Sequence, residues 1–270
     1  MKVLTQILNF YINCSIHVAL SCYALVRMTQ HMFHISYENS VANFAFFGTI
    51  VGYNFVKYDA LVRKQKVTMR NELIAIAIFS LSSLALVGYY FFQLKLTTQI
   101  VAFVILSFTL LYTLPFFPNK RNARNWAGVK IYIVAFCWVG VTLVLPILNA
   151  DIAITADLYF KCIQRFILIF VLILIFEIND LANDDSHLQT VPQQIGVKHT
   201  KVLGLLLTIL FFFLEFFKNN FDQKQIIVNF ILVVLVFLFL IFVNENRSKY
   251  YTSFWVESIP VFWWLIVVFN

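Results

Sequence analysis

Runs of about 20 mostly apolar residues recur along the whole sequence, and that is the length an α-helix needs to cross the hydrocarbon core of a bilayer. Nine such runs stand out, at about 5–26, 39–58, 72–93, 98–115, 130–149, 158–178, 200–218, 224–243 and 251–270. In lipid every backbone N–H and C=O must be paired inside the protein, and a helix does this segment by segment. The expected fold class is therefore all-α, a polytopic membrane protein with nine transmembrane helices. The connections are short, so residues 1–270 are expected to form a single transmembrane helical domain. Composition agrees: 61% of the residues are hydrophobic and 12% charged, against roughly 45–50% and 25% in soluble domains. The 31 phenylalanines are too many for one soluble core of this size.

The net charge of +7 is read through topology rather than as nucleic-acid binding. With the N-terminus cytoplasmic, fourteen Lys and Arg fall on the inner side, among them Lys57, Lys64, Arg121 and Lys198. Only Arg27, Lys95, Lys218 and Lys224 fall outside, and Lys161 and Arg165 lie within the outer part of the sixth span. An excess of basic residues marks cytoplasmic loops. Cys14, Cys22, Cys137 and Cys162 lie in apolar runs without a CxxC pair, so neither a disulfide framework nor a zinc site is indicated. The first apolar run is interrupted by Asn9, Asn13 and His17 and reads as a retained span rather than a cleaved signal. Spans seven and eight, almost uniformly apolar, are expected at the lipid edge.

Acidic residues cluster at one place. Glu177, Asp180 and Asp184 are spaced i, i+3, i+7 at the end of the sixth span and share one helical face. Carboxylates at a membrane helix end require a positive partner: a metal, a lysine or water. Asn54, Lys57 and Tyr58 share a face at the end of the second span. Lys57 either snorkels to the headgroups or points inward toward Asp180 and Asp184, or toward an anion held between them. Between spans four and five lie Lys120, Arg121, Arg124 and Lys130. They provide inner-leaflet charge, and beyond that they suit a diphosphate clamp, since Arg offers a planar fork and Lys a point charge. His187 and His199 flank the acidic segment as rim residues, and His31 and His34 lack a third ligand for a metal.

Three segments together resemble the UbiA superfamily of intramembrane prenyltransferases. Glu177-Ile-Asn-Asp180-Leu-Ala-Asn-Asp184 is similar to that family's second aspartate-rich motif. Thr190-Val-Pro192-Gln-Gln-Ile-Gly196 is similar to the motif's tail, and Leu111-Tyr112 through Pro115 to the stretch after its fourth span. The first aspartate motif is degenerate: Asn54 stands, but Phe55 takes the place of the following aspartate, and Lys57, Tyr58 and Val62 occupy the rest. Gln189 replaces a basic residue before Thr190.

The resemblance implies transfer of an isoprenoid chain from a polyprenyl diphosphate to an aromatic or other lipophilic acceptor inside the membrane. It implies Glu177, Asp180 and Asp184 as metal ligands, with Asp180, Asp184 and Lys57 as the catalytic set. Asn54, Tyr58, Arg121, Arg124, Lys130 and Lys198 would bind the substrate. The cofactor would be Mg²⁺, one ion rather than two, because Phe55 cannot coordinate. The alternative is a non-catalytic UbiA-like subunit that binds a lipid or a membrane-protein partner. A transporter fits less well, since no repeated halves or broken helices at matched positions are visible.

Overall fold

The computed structural model describes residues 2–36, 39–63, 70–113, 128–184, 188–219 and 222–269. Among the described residues all regular structure is helical. The elements are α1 (Lys2–Asn13), α2 (Ile16–Met32), α3 (Asn39–Arg63), α4 (Arg70–Phe91), α5 (Leu96–Thr113), α6 (Val129–Val139), α7 (Leu145–Asn149), α8 (Ala156–Asp180), α9 (Val191–Phe213), α10 (Gln223–Phe242) and α11 (Ile259–Phe269). Helices occupy all nine expected positions. Six of the described helices are long and apolar enough to cross a membrane, or seven if the bent pair α1–α2 counts as one span. The protein is a multi-pass integral membrane protein.

The first span departs from a straight helix. The chain bends by 60° between α1 and α2, and Ser15 sits in the left-handed region at φ 59°. At the bend Asn13 turns its side chain to other segments, its Nδ2 donating to Glu72 Oε1 at 3.0 Å. Helix α8 is the axis of one half of the bundle, packing between α6 and α9. Its side chains Leu168, Val171, Leu174, Ile175 and Ile178 are buried in the largest apolar cluster. Helix α2 is the axis of the other half, packing on α3 and α11. A Cβ on Gly204 would meet Leu240 Cδ2 at 2.8 Å, so glycine sets the close approach of α9 to α10, as small residues do between membrane helices. By contrast α4 presents Ile74, Ile78, Leu81 and Leu84 outward, as a lipid-facing helix does.

Two helices contain a π-turn, at Gly140–Val144 between α6 and α7, and at Tyr251–Val256 before α11. Both contact α2. The seventh and eighth spans are less simple than their sequence suggests. At their junction Glu215 is buried, ion-paired with Lys218 and lying 3.7 Å from Lys161. Gln164 Nε2 and Asn229 Nδ2 donate to the Glu215 carboxylate at 3.0 and 2.7 Å. Thus α8, α9 and α10 are tied at that end by a polar network under an apolar exterior. The four cysteines are free.

Candidate functional site at the end of helix α8

Helix α8 delivers the acidic segment, and α9 begins directly across from it. Thr190 precedes α9, with its N–H donating to Gln193 Oε1 at 2.9 Å, and Pro192 lies in the first turn. The Thr-x-Pro stretch is therefore a helix start, in which proline costs no hydrogen bond. Its Val191 N–H donates to Glu177 Oε2 at 3.1 Å. Glu177 is buried and its carboxylate caps α9, as an acidic group at a positive helix end does. Gly128, at φ 68°, brings the start of α6 against Gln194 of α9, 3.6 Å from where a Cβ would stand. This contact sets Lys130 within electrostatic reach of Glu177 and Asp180.

Asp180 is exposed at the α8 terminus, where Asn179 Nδ2 donates to it at 3.4 Å. The Asp184 N–H folds back onto the Asp180 carbonyl at 2.9 Å. Asp184 Oδ2 and Asn179 Oδ1 are buried and have no hydrogen-bond partner among the described residues. Among the described residues the three carboxylates have one ammonium, that of Lys130, within electrostatic reach. Among those residues no three His, Cys, Asp or Glu side chains converge as a ready-made metal cage. Lys198 is exposed on α9, two residues past Gly196, whose φ is 78°. Arg121, Arg124, Asp185 and His187 lie outside the described residues.

The end of α3 is arranged differently from expectation. Lys57 does not meet Asp180 or Asp184 among the described residues. Its Nζ lies 3.4 and 3.5 Å from the Asn13 carbonyl and side-chain oxygens, and the carboxylates within its electrostatic reach are Glu257 and Glu72. Tyr58 donates to the same Asn13 carbonyl at 2.9 Å. Asn54 is buried; it donates to the Cys14 carbonyl at 3.2 Å and to Ser80 Oγ at 2.9 Å, and accepts from Ser15 Oγ at 2.7 Å. Asn13 Nδ2 donates to Glu72 Oε1 at 3.0 Å. The face expected to receive a diphosphate thus holds the bend between α1 and α2. The physical reason is that the bend strips carbonyls of their helical donors, and Asn54, Lys57 and Tyr58 supply replacements.

The two polar faces are separated by the π-turn before α11. Thr252 Oγ1 accepts from Asn179 Nδ2 at 3.4 Å, while Glu257 faces Lys57 and its carbonyl accepts from Ser21 Oγ. His17 bridges Tyr11 Oη at 2.9 Å and the Phe254 carbonyl at 2.8 Å. Glu257 and Glu72 were not singled out from the sequence, and Asn13 was noted only as an interruption of the first apolar run. The signal for Glu257 was present: an acid inside an apolar span is rare without a partner.

With this geometry in hand, comparison with solved structures is informative. A digeranylgeranylglyceryl phosphate synthase superposes with a TM-score of 0.61 at 13% identity, over 100% of this chain and 97% of the other. A UbiA homologue from Archaeoglobus fulgidus bound to GPP and Mg²⁺ gives 0.58 at 10% identity, over 95% and 98%. A UbiA homologue from Archaeoglobus fulgidus bound to Cd²⁺ gives 0.57 at 9% identity, over 94% and 97%. The chain has the UbiA fold. No protein-family model and no curated protein matches the sequence. In this UbiA-fold protein the acidic segment stands at the end of a long buried helix, and Asn54, Lys57 and Tyr58 of α3 make contacts internal to the chain.

Proposed function

We propose that this UbiA-fold protein binds a polyprenyl diphosphate at the α8–α9 end of the bundle and transfers its isoprenoid chain to a lipophilic acceptor. The observation that carries the reading is the acidic cluster there: among the described residues three carboxylates have the Lys130 ammonium within electrostatic reach, and a buried Asp184 oxygen has no partner. That donor set fits one Mg²⁺. Magnesium prefers hard oxygen ligands and takes one or two carboxylates, completing its shell with phosphate oxygens and water. Asp180 and Asp184 would hold it, while Glu177 stays with the α9 N-terminus. When bound, the ion stabilises the charge of a departing diphosphate as a Lewis acid. Lys130 adds a fixed positive charge on the opposite wall. The excess of Lys and Arg at this end supports a cytoplasmic orientation.

A second reading is supported by the contacts of Asn54 and Tyr58, which hold the α1–α2 bend where the first aspartate motif would stand. In it the protein binds the diphosphate without breaking it, or binds another isoprenoid lipid or a membrane-protein partner. Purified protein titrated with geranyl diphosphate separates the readings. The first expects Mg²⁺-dependent binding, lost with EDTA and in Asp180→Asn, and release of diphosphate once an acceptor is present. Binding without release supports the second. Binding indifferent to both EDTA and Asp180→Asn refutes the assignment of the site.

A further inference from the structure

Asn179 carries a buried oxygen that has no donor among the described residues. It is the last residue but one of α8 and is 5% exposed. Two contacts set its amide: Nδ2 donates to Asp180 Oδ1 and to Thr252 Oγ1, each at 3.4 Å. Thr252 Oγ1 donates its own hydrogen to the Lys249 carbonyl at 3.3 Å, so it receives one from Asn179. Turning the amide over would set Oδ1 against a carboxylate oxygen, two acceptors face to face. The nitrogen therefore stands where it belongs, and the bare atom is Oδ1. Asp184 Oδ2 is in the same condition.

The place offers oxygens and lacks donors. Glu177 is committed to the Val191 N–H, and Lys130, though within electrostatic reach of Asp180, satisfies neither bare oxygen. Two carboxylates and an amide oxygen remain. Such a set suits a hard cation, for which amide carbonyls are ordinary ligands, and it does not suit a phosphate bound directly. The approach is open, because Asp180 is exposed. Nδ2 and Oδ1 share one carbon, so the bare oxygen lies within an amide's width of that exposed carboxylate. Helix α3 supplies no substitute, since Asn54 and Tyr58 hold the α1–α2 bend. Thr252, which anchors the amide, lies in the π-turn Tyr251–Val256, and π-turns inside helices frequently mark functional positions.

We propose that Asn179 is a third protein ligand of the divalent ion, joining Asp180 and Asp184 through its amide oxygen. Thr252 is the positioning residue that turns that oxygen to the ion. The inference rests on the ion-dependent diphosphate site proposed above, and adds to it an amide and a contact from the last span. The opposing reading is structural: the amide ties α8 to the last span, and its oxygen meets no ligand.

Mn²⁺ is the probe, titrated into the full chain in neutral detergent and followed by loss of the free-ion EPR signal, with no isoprenoid present. The parent is expected to bind Mn²⁺ saturably, and Asp180→Asn to lose it. Asn179→Leu, close in volume, weakens Mn²⁺ by about 10-fold or more, as loss of a metal-site partner does, and Thr252→Val weakens it less. Asn179→Asp keeps the oxygen without Nδ2 and binds at least as tightly as the parent. Parental affinity in Asn179→Leu, with Mn²⁺ still lost in Asp180→Asn, overturns the inference and leaves the proposed function standing. Equal weakening in Asn179→Leu and Asn179→Asp also overturns it, because Nδ2 alone then matters. Binding that survives Asp180→Asn, or no binding by the parent, removes the inference and the ion site together. Should Asn179→Leu fail to fold, the other two variants decide: weaker Mn²⁺ in Thr252→Val with no weakening in Asn179→Asp supports the assignment, and any other pattern overturns it.

Discussion

Replacing Asn54 distinguishes a ligand-binding residue from one that holds the fold. Its amide makes three side-chain hydrogen bonds, to the Cys14 carbonyl, Ser80 Oγ and Ser15 Oγ, at 3.2, 2.9 and 2.7 Å. Each is worth about 1 kcal/mol net, and a buried acceptor left unpaired costs about 1–3 kcal/mol. Ser80 Oγ keeps a second bond, to the Ile76 carbonyl at 2.8 Å, so its loss is partly absorbed. Cys14, at the bend, has no such reserve. Asn54→Ala is therefore expected to cost about 2–4 kcal/mol. At roughly 2–4 °C per kcal/mol for a domain of 150–250 residues, Tm falls by about 4–16 °C. Asn54→Asp removes both donors and sets a carboxylate against the Cys14 carbonyl, so it destabilises at least as much. If Asn54 served a metal or a diphosphate, the aspartate would preserve or strengthen binding. The assay is thermal unfolding of purified variants beside geranyl diphosphate titration, with a Ser15→Ala double-mutant cycle expected to show coupling of about 1 kcal/mol. The reasoning fails if both variants keep the parental Tm while their ligand affinity drops.

Asp180→Asn is expected to abolish Mg²⁺-dependent geranyl diphosphate binding with Tm nearly unchanged, because Asp180 is exposed; titration and melting of the same sample check both halves. Glu215→Gln leaves Lys161 and Lys218 buried without a carboxylate and should cost about 3–5 kcal/mol, read as a lowered Tm that Lys218→Met partly restores in the double variant. Lys57→Ala is expected to leave geranyl diphosphate binding intact and to lower stability by about 1 kcal/mol, given its exposure, with Glu257→Gln recovering the loss; a binding defect would return Lys57 to the diphosphate site. Glu177→Ala removes the acceptor of the Val191 N–H and should cost about 1 kcal/mol, whereas Glu177→Gln retains most of it, as denaturation of the pair would show.

Hydropathy alone placed the helices, because a lipid-facing run leaves little choice of structure. The acidic segment was legible in part: Glu177 and Asp180 lie in the last turns of α8 with Lys130 in electrostatic reach, whereas Asp184, expected on the same helical face, lies in the turn beyond the helix end. What local pattern could not reveal was which polar groups meet across the bundle. Lys57 and Asp180 looked like partners because each seemed to lack one. Asn13, one of the residues that interrupt the first apolar run, takes Lys57 and Tyr58 instead. The Glu215 network was hidden similarly, since Gln225 and Asn229 are ordinary in sequence and acquire meaning only when α9 and α10 are brought side by side. Arg165 was noted merely as a charge in the sixth span; that its neighbours are hydroxyls and a carbonyl depends on α2 and the Gly140 π-turn lying against it.

The Tyr251–Val256 turn carries one residue more than an ordinary helical winding, and each residue advances a helix by about 100°. That surplus swings everything after it around the axis, so Thr252 addresses Asn179 while Glu257 addresses α2 and Lys57. A single-residue deletion there would rewind the segment and aim Glu257 at a different neighbour, without altering length or hydrophobicity enough to disturb insertion. The separation of two polar clusters therefore hangs on a local miscount of the helix, and a register change of one residue is a gentler way to rearrange them than removing any side chain.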